Sequence, residues 1–153
     1  MSARALFTAF LLAIAASQQT FGGDKKDEKV TYDVHAKGHF VKNNANLQTN
    51  PAYLVLQDKK AFDEIFGVGV TMGAKPKLVD AKLFETKIVA AVITTGNALT
   101  IYDVEKVTKD KNKLIVQYKT SDKGPTSAKF SSPLIVSVPR GEYIEVVFFA
   151  NGK

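Results

Sequence analysis

The sequence predicts a mainly β chain, an antiparallel sandwich or open barrel of about seven strands with one short helix. Three observations lead there. From Val30 onward, apolar residues either alternate with polar ones or gather in short runs. Turn-forming groups such as Gly96-Asn97, Lys111-Asn112, Gly124-Pro125 and Arg140-Gly141 interrupt these runs. A helical period occurs in one stretch, Lys59 to Phe66.

The chain opens with Arg4 followed by the apolar run Ala5 to Ala16, then small residues. That pattern predicts a secretory signal peptide over residues 1–17, cleaved within Ala15 to Ser17. At about twelve residues the run is too short to span a bilayer, which takes about twenty. Residues 18–29, QQTFGGDKKDEK, hold neither hydrophobic period and read as a flexible leader. Residues 30–153 then form a single domain.

In the first expected strand, Val30, Tyr32, Val34, Ala36 and Phe40 alternate with Thr31, Asp33, His35, Lys37 and His39, so the histidines are assigned to a wet face. Ala52 to Leu56 is a second strand, with Pro51 at its start, where a missing donor does least harm. The helix has Asp58 as N-cap, Ala61/Ile65 and Phe62/Phe66 as i,i+4 pairs, and Gly67 as its stop. Gly67 to Glu85 reads as a loop. Lys87 to Ile93 is apolar on both faces and is the expected central strand; Ala98–Val107, Lys113–Thr120, Pro133–Val138 and Tyr143–Ala150 follow it.

Composition narrows the function classes. There is no cysteine among 153 residues, which removes disulfides, thiol catalysis and thiolate metal sites. No N-x-[ST] acceptor occurs either. The formal charge of +6 comes almost wholly from scattered lysines, with Arg140 the single arginine beyond the signal. That distribution argues for solvated lysines rather than a nucleic-acid surface. The expected product is exported and soluble, periplasmic or extracellular, without a membrane span in its mature form.

Catalytic signals are weak. His35 and His39 are four residues apart, about 13 Å along a strand, too far to share one metal ion. Serines at 121, 127, 131, 132 and 137 lie in turns or strand edges without a G-x-S-x-G elbow. The carboxylate pairs Asp63-Glu64 and Glu142/Glu145 are unmarked, and neither dinucleotide nor P-loop glycine patterns occur. The expectation is a noncatalytic domain with no cofactor and no metal. Its contacts are expected in two loops, Thr94 to Thr100 and Asp122 to Ser127, at Gly96, Asn97, Ala98, Lys123 and Gly124. The alternatives are a loop-inserting protease inhibitor, or a small hydrolase using His35 or His39.

Segment order adds a further reading. Ala61-Phe62-Asp63-Glu64-Ile65-Phe66, Leu78-Val79-Asp80 leading through Phe84 into Ile88 to Val92, and Gly96 before Ile101 to Val107 occur in sequence. Leu114 to Tyr118 and Ser132-Pro133-Leu134-Ile135-Val136-Ser137-Val138-Pro139-Arg140 complete the series. Over most of the mature chain this resembles the PrcB-like C-terminal domain family, named after an accessory subunit of a bacterial surface protease complex. Leu134 stands where that family has an aromatic, phenylalanines replace its helix tryptophans, and Asn97 to Thr100 lacks its second glycine and tyrosine. The resemblance implies an exported β domain that holds or stabilises a protein partner, a protease or an envelope protein.

Overall fold

A computed structural model describes residues 27–69, 73 and 75–151; the expected signal peptide and most of the leader lie outside the described residues. The chain is mainly β, as the alternation implies. In order it forms β1 (Glu28–Lys29), β2 (Asp33–Val34), β3 (His39–Val41), β4 (Ala52–Leu56), α1 (Lys59–Ile65) and β5 (Phe66–Val68). Then come α2 (Leu83–Thr86), β6 (Lys87–Gly96), β7 (Leu99–Asp110), β8 (Lys113–Lys123), β9 (Phe130–Pro139) and β10 (Glu145–Ala150).

Two four-stranded sheets result, ordered β1-β7-β8-β10 and β2-β9-β6-β4, with a small β3-β5 ribbon beside them. β6 is central, paired antiparallel to β4 and to the full length of β9. Its apolar character on both faces has a direct cause. Ile88, Ala90 and Val92 join Leu134, Val136, Leu114, Val116 and Tyr118 in the core between the two sheets. Val89, Ala91 and Ile93 face the other way, into a second core with Phe62, Phe66, Val79 and Phe84. The helices and the ribbon thus add a third layer over the outer face of the second sheet, a sandwich with one covered side.

Local chemistry explains most elements. Asp58 caps α1 by accepting from the Ala61 amide at 2.8 Å, and Asp80 Oδ1 accepts from the Leu83 amide at 2.8 Å at the start of α2. β7 and β8 form a long hairpin turned at Lys111-Asn112, with a bulge between Val104 and Lys106. Arg140 ties the end of β9 to the third layer, its Nε donating to the Phe84 carbonyl at 2.9 Å and Nη2 to that of Gln57 at 2.5 Å.

Several expectations need correction. The single strand expected over Val30 to Val41 is divided, because the chain turns at Lys37-Gly38. Gly38 has φ of 87°, and a side chain there would come within 2.6 Å of Pro76. The faces are also reversed: His35 and His39 are buried, whereas Val34 and Phe40 are 46% and 49% exposed. Hydrogen-bonded imidazoles are admitted to the interior, so polarity did not decide the facing. Order starts before Val30, since Glu28 and Lys29 pair with Lys109 and Thr108. The expected loop from Gly67 to Glu85 contains most of β5 and of α2, and α1 ends at Phe66 in extended conformation rather than at a glycine cap. Finally, β10 lies parallel to β8, not antiparallel. Among the described residues no helix is long and apolar enough to cross a membrane.

Candidate functional site

Two places carry concentrated polar chemistry. The first is the end of the sandwich where the chain crosses between sheets. β6 ends with Gly96 opposite Phe130, and after only Asn97 and Ala98 the chain enters β7, where Leu99 pairs with Lys123. The two expected contact loops are therefore much shorter than anticipated, because Thr94–Gly96, Leu99–Thr100 and Asp122–Lys123 belong to strands.

The structure nevertheless brings Gly96, Asn97, Ala98, Lys123 and Gly124 together. Gly124 has φ of 148° and lies so near the crossing that a Cβ would meet Ala98 Cα at 3.1 Å and the Asn97 carbonyl at 3.2 Å, so glycine alone fits. The Thr126 amide donates to the Asn97 carbonyl at 2.8 Å. The Thr126 hydroxyl lies 3.0 Å from the carbonyls of both Asn97 and Ala128, donating to either. Residues 121–130 are exposed without exception, so this is a projecting segment braced at its middle.

Below it, hydroxyls and amides tie the strand ends together, within and between the sheets. Asn50 imitates a strand neighbour: its Nδ2 donates to the Thr95 carbonyl at 2.7 Å and its Oδ1 accepts from the Thr95 amide at 3.0 Å. Ser132 Oγ accepts from the Thr100 amide at 3.0 Å, and the Thr100 hydroxyl donates to Asp122 at 2.9 Å. The Tyr102 hydroxyl, whose pKa burial pushes up, donates to Thr94 Oγ1 at 2.6 Å. These supports escaped the sequence reading. Their only signal is hydroxyl residues in pairs, Thr94-Thr95 and Ser131-Ser132, at strand ends.

The second place surrounds His35. Its Nε2 is 2.8 Å from Ser137 Oγ, and its Nδ1 is 3.0 Å from the Lys77 carbonyl. Beside it, Asp33 receives Lys77 at 2.5 Å and Lys87 at 2.6 Å. Those ammonium groups hold the Asp33 carboxyl down to about 2. A hydroxyl hydrogen-bonded to an imidazole is the start of a nucleophilic pair. Here, though, His35 is 1% exposed and Ser137 0%, and a main-chain carbonyl rather than a carboxylate orients Nδ1. No substrate reaches the hydroxyl in this arrangement, and the bonds satisfy buried polar groups.

A shallow concavity beside α1 is lined by Lys42, Asn44, Lys59, Asp63 and Ile65, among others. Within it Lys59 pairs with the Asp63 carboxylate and Lys42 donates to the Asp63 carbonyl. No group of three or more metal-ligating side chains gathers among the described residues. No protein-family model, curated protein or solved structure matches this chain.

Proposed function

We propose that this chain is an exported, noncatalytic binding or stabilising domain that engages a protein partner, a protease or envelope protein, through the surface at Asn97 and Lys123. One observation carries the reading. The exposed segment 121–130 is fixed to the sheet crossing by Thr126 on Asn97 and by the close approach of Gly124 to Ala98. A projecting segment that is already ordered loses little freedom on binding, which is how rigid β scaffolds present recognition loops. The resemblance to the PrcB-like domain supports the partner class. A second reading, protease inhibition, rests on the same braced segment and its exposed Lys123.

Affinity capture from the envelope of the producing cells tests both, with wild-type protein beside Asn97→Tyr and Lys123→Glu. Both side chains are exposed, so melting temperatures stay within about 2 °C of wild type, as for surface changes worth under about 0.5 kcal/mol. Recovery of a stoichiometric partner falls about tenfold, the loss expected from an interface residue worth about 1.4 kcal/mol. A captured protease that stays active marks an accessory role, and one that is silenced marks an inhibitor. Full recovery by both variants removes the interface from this end of the fold.

A further inference from the structure

His39 and His35 lie outside that surface, and together they fasten one irregular segment, residues 75–79. His39 Nε2 accepts from the Val79 amide at 3.2 Å, and His35 Nδ1 donates to the Lys77 carbonyl at 3.0 Å. Residues 75–79 thus depend on imidazoles for two of their attachments. Because Nε2 of His39 is an acceptor, its proton is on Nδ1. That proton has no acceptor in bonding geometry, and the Gly67 backbone is a nearby polar group. The ring is buried and makes a T-shaped contact with Phe62, centroids 5.1 Å apart.

A second proton would affect the two rings differently. Ser137 is a hydroxyl rotor, so it could turn and accept from a protonated His35. The Val79 amide has no such freedom, and a protonated His39 would set N–H against N–H. The charged groups around the rings give little relief. From α1, Lys59 opposes a positive His39 and Asp63 is already paired with Lys59. His35 itself adds repulsion when charged. Around His35, Lys77 and Lys87 oppose the charge, and the one favourable group, Asp33, is already shared between those two lysines.

We propose that His39 is an acid-sensitive latch: a proton taken up at Nε2 breaks the bond to the Val79 amide and releases Val79 from the second core, while Lys77 stays tied to Asp33. Release would withdraw Val79 and uncover Phe62 and Phe84 of that core. Burial lowers the proton affinity of both rings below the ordinary 6.5. A neutral ring in the latched state and a protonatable ring in the open state place the loss below pH 6.5, with full attachment above it. Asp33, held near 2, stays ionised through that window and keeps its lysines.

Amide hydrogen exchange on the full chain, corrected for intrinsic rates, tests this between pH 7.5 and 5. Protection of the Val79 amide should fall by up to about tenfold per pH unit below 6.5, while amides of Ala90 and Ala91 hold steady. In His39→Gln, whose carbonyl accepts without titrating, Val79 protection should be flat across the same range. A flat wild-type profile, or an equal fall in His39→Gln, overturns the latch. Should His39→Gln not fold, nitrogen NMR of the wild-type ring decides: at pH 7.5 it must show the neutral Nδ1–H form, with its protonation midpoint below 6.5. An Nε2–H form, or a midpoint at or above 6.5, overturns the proposal equally.

Discussion

Replacing Phe62 with alanine should be among the most damaging single changes in this chain. Phe62 is 1% exposed at the centre of an aromatic group, with ring centroids 4.8 Å from Phe66, 6.2 Å from Phe84 and 5.1 Å from His39. Truncating a buried phenylalanine costs about 3–5 kcal/mol, more where neighbours cannot close the hole. Here the walls come from β3, β5, α1 and α2, so no single element can move in to fill it. A loss of about 4 kcal/mol is expected, a large share of the 5–15 kcal/mol typical of a domain, and it should lower the melting temperature by about 12–20 °C. Phe62→Leu keeps most of the volume and should lose about 1.5 kcal/mol or less. Urea titration with an unchanged slope measures both. An alanine variant within about 1 kcal/mol of wild type, or equal losses for the two, would refute the account of the second core.

Two further outcomes follow from backbone contacts. Gly38→Ala should cost about 2 kcal/mol or more, since φ of 87° is strained for alanine and its neighbour Pro76 cannot swing aside, whereas Gly67→Ala should cost about 1 kcal/mol or less because the half-exposed Phe40 ring against it can move. Denaturant midpoints of the pair check this, and a larger loss at Gly67 would contradict it. A chain starting at Val30 should melt about 3–5 °C below one starting at Asp27, because it loses the Glu28 and Lys29 pairing that covers buried Thr108 at a cost of about 1 kcal/mol. Coincident melting curves would show that β1 contributes nothing.

The sequence discloses some elements fully and others hardly at all. β6 was legible because an apolar run on both faces has one physical solution, a strand covered twice. α1 was legible because Asp58 and the Phe62/Phe66 spacing are local signals. The period of the His35 strand was also readable, but not which side is wet. An imidazole with Ser137 and a carbonyl for partners is as much at home inside as outside, and nothing local announces partners a hundred residues away. The parallel direction of β10 was hidden for the same reason: alternation fixes a strand's faces and says nothing of its neighbour's heading. At the crossing, turn chemistry located Gly96, Asn97, Ala98, Lys123 and Gly124. The bonds from Thr126 and the Asn50 side chain that brace that end needed the fold to be seen.

The order in which the strands pair sets the order in which the molecule can be built. β2 waits for Ser137 and Val136 of β9, β1 for Lys109 and Thr108 of β7, and the edge of β8 for β10, the final strand. A growing polypeptide presents its first strands long before their partners exist. Until β6 emerges to pair with β4, the front half has the small β3-β5 ribbon and one short helix to form by itself, and a helix of that length is marginal alone. Topology therefore delays closure of the two sheets until synthesis is nearly complete.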